Sequence, residues 1–281
     1  MENIRAIRTR MRSIESTQKI TRSMKLVSAS KLRKTQSASL ALSAYAEKIR
    51  ILLEKLLSDR RCDSPYFEQR SGSKVLYVLF VGSRGLCGTY NLSILKYLQE
   101  QIGENSEATV ALVGRWGKDL IAATDLVVVR SFDEIGDTPS AEDAAVLVDY
   151  LKSVFLSGEA DRVELVFQRF DSVLSQSPGT VTLFPIERRS GEADRGGFIF
   201  EPDKKSVFAS LVELTIQNTV YSALLEARTG EHASRMTAMT AAGDNTDELL
   251  NELELRLNHA RQSAITTEIS EIVGGAAALN G

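Results

Sequence analysis

The chain has 281 residues, 43% apolar and 25% charged, with a net charge of −3. That composition is globular and excludes a disordered polyelectrolyte. The longest apolar run, Val75 to Val81, is too short to cross a bilayer, and Cys62 and Cys87 form neither a disulfide framework nor a metal cluster.

The charge is unevenly placed. Residues 1–35 hold ten Lys/Arg against two acids, and residues 206–281 hold four Arg against ten acids. Such polarity suits either a basic arm for a polyanion or two chain ends that meet each other. No apolar segment or cleavage site follows the basic N-terminus, so we expect no signal peptide and a cytoplasmic chain.

Residues 1–58 contain no Gly or Pro and are rich in helix formers, which predicts a helix about 85 Å long. Its apolar positions are Ile4, Ile7, Met11 and Ile14, then a shifted set, Ile20, Met24 and Val27. Residues 58–73 read as a break and linker. From 74 to about 190 the period changes. KVLYVLFVG, ATVALVG, DLVVVR, RVELVFQRF and GTVTLFPIE are predicted strands, and YNLSILKYLQEQI, KDLIAA and AEDAAVLVDYLKSVFL are predicted helices between them. That alternation predicts a parallel or mixed sheet flanked by helices. RRSGEADRGG (188–197) is a polar loop.

Helical pattern resumes at about Ser206 and runs to Leu279, with Gly230 and Gly243 as candidate kinks. Leu250, Leu253, Leu257, Ala260 and Ala264 follow coiled-coil spacing, after which the phase moves to Ile265, Ile269, Ile272, Ala276 and Leu279. The simplest joint solution is α/β: a long antiparallel coiled coil of the N-terminal (1–58) and C-terminal (206–281) helices, with an inserted Rossmann-like α/β domain (74–190).

Candidate chemistry is sparse. VGSRGLCGTYN (81–91) lies where a phosphate cradle would, but Gly82, Gly85 and Gly88 fit neither dinucleotide nor Walker spacing. In GRWGKD, Asp119 stands where a Walker motif needs Ser or Thr. His232 and His259 lack further ligands at metal spacing, and Glu268 with Glu271 lack a pocket. The basic stretch 5–34 has no interleaved aromatics and no reader motif. A nucleic-acid-binding coiled-coil protein and a nucleotide-dependent enzyme remain the alternatives.

ARQSAITTEISEIVGGAAAL (260–279) resembles the C-terminal signature of the gamma subunits of F-type ATP synthases. IRTRMRSIESTQKITRSMKLVSASKLRKTQ (7–36), GLCGTYN (85–91) and EHASRMTAMTAAGDNTDELL (231–250) are similar to other segments of that family, in order along the chain. The resemblance implies a non-catalytic rotor shaft without a cofactor, metal or nucleic acid, carrying rotation of the membrane c ring to the catalytic beta subunits. Its implied partners are three alpha and three beta subunits, the epsilon subunit and the c ring, with the membrane reached only through the complex. It further implies beta-subunit contacts at Met24, Lys25, Arg261, Gln262 and Thr266. FIFEP (198–202) resembles the family's foot segment, placing Phe200 and Glu201 near the c ring or epsilon. No plant-type cysteine-bearing insertion and no organellar transit peptide are recognised, which implies a bacterial enzyme on the cytoplasmic side of the plasma membrane.

Overall fold

The computed structural model describes residues 4–57, 62–105, 107–188 and 200–279, without the side chains of 277–279. The chain runs α1 (Ile4–Leu57), a single 3-10 turn (Pro65–Phe67), β1 (Val75–Phe80), α2 (Tyr90–Ile102), β2 (Thr109–Val113), α3 (Gly117–Ile121), β3 (Val127–Phe132), α4 (Ala141–Ser157), β4 (Arg162–Phe170), β5 (Gln176–Phe184) and α5 (Lys204–Leu279). Two compact units result. One combines residues 1–27 with 236–281, and the other spans 28–235.

The larger unit is built on a five-stranded sheet of order β3-β2-β1-β4-β5. β1 pairs in parallel with both β2 and β4, and only β5 runs antiparallel, against β4. All of β1 is buried, as a continuous apolar run in a central parallel strand should be. Its alternate residues feed two cores. Val75, Tyr77 and Leu79, with Val81 just past the strand, pack with Ile94 and Leu98 of α2 and Ile121 of α3. Leu76, Val78 and Phe80 pack with Ile49 and Leu53 of α1, Leu147 and Leu151 of α4, and Phe208, Ile216 and Leu224 of α5. Helix α4 starts at a complete capping box between Ser140 and Asp143 and stops at left-handed Gly158. β3 is an edge strand whose Val127, Val128 and Val129 are exposed.

Gly230 and Gly243 do not break α5, which is continuous through both. A glycine costs a helix only about 1 kcal/mol relative to alanine. That is small beside the buried stripe of Phe208, Val212, Ile216, Val220, Leu224 and Ala227 upstream.

In the smaller unit α1 and α5 run antiparallel: Gln18 donates to the Asp247 carboxylate, and Thr21 lies opposite Gly243. The expected phase shift in α1 does not occur. Ile7 is buried, Met11, Ile14, Gln18 and Met24 are half-buried, and Thr21 is buried. Ile20 and Val27, expected on the seam, are exposed. The stripe keeps its 3-4 spacing through small polar residues, because Thr21 satisfies its own hydroxyl by donating to the Gln18 carbonyl at 2.9 Å. In α5 Leu253 is buried and Leu250, Leu257 and Ala260 are half-buried, but Ala264, Ile265, Ile269, Ile272 and Ala276 are exposed. The pairs above bring Ile4 level with about residue 260, so α1 supplies no partner beyond that point. The Leu279 side chain lies outside the described residues.

Candidate functional site

In an open sheet with parallel strands, ligands bind beyond the carboxyl ends of the strands where the strand order reverses. Here that crevice lies between β1 and β4, and the Gly-rich turn after β1 borders it. α5 occupies it. The Glu231 carboxylate accepts from the Ser83 N–H at 3.2 Å, from Arg228 at 2.8 Å and from Arg235 at 2.6 Å. Arg228 also donates to the carbonyls of Val81 and Ile135, and Arg235 to those of Arg84 and Gly85. Tyr90 donates to the Ala227 carbonyl at 2.8 Å. All these side chains are buried.

Two glycines here answer steric needs. Gly114 sits at φ +121°, where a Cβ would stand 2.3 Å from the Val81 carbonyl oxygen, and Gly88 has φ +60°. Gly82 N–H donates to the Asn91 side chain at 2.8 Å, spending another donor that a phosphate cradle would offer.

Burial alone would push the Glu231 carboxyl up, but the guanidiniums of Arg228 and Arg235 outweigh it and hold the group below the usual carboxylate range. Beside it, burial pushes His232 below its ordinary value, and its Nε2 meets the Asp137 carbonyl oxygen at 2.9 Å. The Asp137 carboxylate in turn pairs with Lys31 of α1 and, at 3.4 Å, with Arg84. Burial raises both the Cys87 thiol and the Tyr90 phenol, leaving each protonated and unreactive. The cluster is built to hold α5 and α1 against the sheet loops. It contains no nucleophile paired with a base, and among the described residues no three His, Cys, Asp or Glu stand close enough to hold a metal.

Sequence reasoning missed this cluster. Arg228, Glu231, His232 and Arg235 recur at 3-4 spacing and continue the line of the buried Val220, Leu224 and Ala227, and that charged extension of an apolar stripe was the available signal.

The seven residues expected at partner contacts fall into separate groups. Met24 is half-buried and Lys25 exposed on α1; Lys25 borders a small groove with Arg22, Gly243, Asp244 and Asp247. Arg261, Gln262 and Thr266 are exposed, about 25 Å further along α5. Gln262 and Thr266 share one face, and Thr266 donates to the Gln262 carbonyl at 3.0 Å. Phe200 packs on the edge of the sheet core below Lys204, and Glu201 is exposed. Phe198, Ile199 and residues 189–197 of the polar loop lie outside the described residues. His259 is exposed, unlike His232. No described helix is long and apolar enough to cross a membrane.

A helix pair joined to a doubly wound sheet, with the sheet's ligand crevice plugged by the chain's own helix, defines a coiled-coil protein with an inserted α/β domain. The same fold occurs in Euglena gracilis mitochondrial ATP synthase (OSCP/F1/c-ring, rotational state 3), with a TM-score of 0.74 at 21% identity, over 98% of this chain and 94% of that one. The family model described as ATP synthase matches residues 3–279. The ATP synthase gamma chain of Desulforamulus reducens is 38% identical over 99% of this chain and 100% of its own length. That of Flavobacterium johnsoniae is also 38% identical, over the full length of both. The chain belongs to the ATP synthase gamma chain family, whose role is that of the central stalk.

Proposed function

We propose that this chain is the rotor shaft of an F-type ATP synthase, turned by the ion-driven c ring and driving the catalytic beta subunits through their conformational cycle. In hydrolysis the same coupling runs in reverse. On this reading the chain has no catalytic residue, and catalysis belongs to the beta subunits. Three alpha and three beta subunits surround its helix pair, and the epsilon subunit and c ring meet its foot, with Phe200 and Glu201 at that contact. Met24, Lys25, Arg261, Gln262 and Thr266 face the beta subunits. The segments 1–58, 74–190 and 206–281 then act as shaft, foot and shaft. The complex sits on the cytoplasmic side of a bacterial plasma membrane, which the chain touches only through its partners.

The observation that carries this reading is the end of α5. From Arg261 to Ala276 every residue is exposed, including Ile265, Ile269, Ile272 and Val273 at 49–66%. Apolar side chains on an unaccompanied helix call for a surrounding partner. A sleeve that must release at each step cannot grip them as a core would, since 1,000 Å² of fitted apolar contact is worth roughly 25 kcal/mol. Polar positions such as Arg261, Gln262 and Thr266 between the apolar ones limit that adhesion. Reconstitution with alpha and beta subunits tests the proposal. A probe on the sheet domain should rotate in discrete steps during ATP hydrolysis. A chain that fails to join the complex, or that binds heparin firmly at physiological salt, would support the nucleic-acid alternative instead.

A further inference from the structure

We propose that Glu231 is a tethered anion: its carboxylate occupies the phosphate-type cradle after β1 and, through Ser83, Arg228 and Arg235, is the positioning residue that sets how α5 is seated on the sheet domain. This goes beyond the rotor reading and does not depend on it. Three observations converge. The crevice is the one where this strand order places an anionic ligand. The group found there is a fully buried carboxylate, held by one backbone N–H and two guanidiniums. The guanidiniums are themselves buried and tied to four carbonyls of the surrounding loops, so they stay in place whether or not the carboxylate is present.

Apolar contacts along α5 are non-directional and tolerate small rolls and slides of the helix. Charge-assisted hydrogen bonds at fixed angles do not. A buried ion cluster is a poor source of stability compared with apolar packing, and its best-attested use is to specify one arrangement among near-equals. Ser83 Oγ and Arg228 Nε, on two of the residues that hold the carboxylate, are buried without a hydrogen-bond partner among the described residues.

The test is chemical rescue in the full chain. Glu231→Ala should leave a cationic hole that takes up a small carboxylate. Acetate, titrated against chloride at matched ionic strength, should raise the folding equilibrium of this variant about tenfold at ten times its Kd, while the wild type does not respond. Hydrogen exchange at Ser83 should accelerate in Glu231→Ala and slow again with acetate. Should Glu231→Ala fail to fold in chloride, refolding yield with and without acetate is the readout. Glu231→Gln, which keeps an acceptor but no charge, should show loss without rescue. An equal acetate response in wild type and Glu231→Ala, or none in either stability or yield, overturns the proposal. Failure of the rotor reading would instead appear as failure to assemble with alpha and beta subunits, whatever acetate does.

Discussion

Across the helix pair, Gly243 faces Thr21 so that a Cβ on the glycine would lie 4.0 Å from Thr21 Oγ1, ordinary van der Waals contact. The glycine is therefore not required by close approach, and it still carries a helix-propensity cost. Gly243→Ala should raise stability by about 0.5–1 kcal/mol. Gly274→Ala, which meets nothing within 4 Å, should likewise favour the helix. Thermal unfolding of each variant checks this, and a lowered midpoint for Gly243→Ala would show that the helices pack more tightly than the geometry indicates.

The phase of α1 can be tested by paired substitutions. Ile20 is 56% exposed and Thr21 only 6%. Ile20→Lys should therefore change stability by no more than about 0.5 kcal/mol, whereas Thr21→Lys, which buries a charge against α5, should cost about 1–3 kcal/mol. Denaturant unfolding would expose the reverse order, which the shifted apolar set would have required.

His232 should make stability depend on pH in a defined window. Burial lowers its folded pKa, and the groups facing it are the Glu231 and Asp137 carboxylates, the Asp137 carbonyl and Arg235. The unfolded value is about 6.5. The folded state resists the proton, so this contribution is complete above about pH 6.5 and is lost as pH falls toward the lower folded pKa. Glu231, also depressed, acts in a separate window, starting below about pH 4.3. His232→Gln keeps a donor for Asp137 and should flatten the stability profile between pH 6.5 and 5. An unchanged slope would assign the dependence elsewhere.

Met24→Lys should impair coupling more than assembly, on the proposed beta-subunit contact, which the resemblance to the family implies is an acidic loop. Met24 is half-buried beside exposed Lys25. A new ammonium there adds an ion pair of roughly 0.2–1 kcal/mol that must break whenever the shaft advances. A barrier raised by up to about 1 kcal/mol slows one step by up to about fivefold. ATP hydrolysis should persist while ions pumped per ATP fall, and high salt should relieve part of the defect. Pumping and hydrolysis measured together in vesicles would decide it, with unchanged pumping per ATP removing Met24 from the contact.

The isolated chain should not bind ATP tightly, because α5 fills the crevice where the strand order would place a nucleotide. Calorimetry on the full chain should show no micromolar site. A micromolar affinity abolished by Gly85→Ala would mean that α5 can leave the crevice.

Much of the fold was legible because the signals were local. Val75 to Phe80 is apolar without interruption, as a strand covered on both faces must be, and Ser140 with Asp143 marks the start of α4 to the residue. What misled was local too. Ile20 and Val27 are the apolar choices in their turn of α1, yet Thr21 and Ser28 are buried, because register is inherited from the turns before and the opposing helix admits small side chains there. The cradle was visible as a Gly-rich turn after a strand, but its occupant lies some 150 positions away in sequence, and only the fold brings Glu231 to Ser83. The contact residues on α1 and α5 rest on family resemblance, since exposure by itself does not say what covers a side chain.

One feature of the sheet bears on how this chain is handled rather than on how it turns. β3 leaves the outer backbone edge of a valine triplet unpaired among the described residues. An exposed apolar edge is a template for strand addition by a second copy. Arg130, which caps the triplet by stacking over Phe132 and Tyr150, is the nearest thing to a gatekeeper on that edge. Purified away from its complex, the chain should be prone to edge-to-edge aggregation, and a lysine at Val128 is the first change to make when soluble material is wanted.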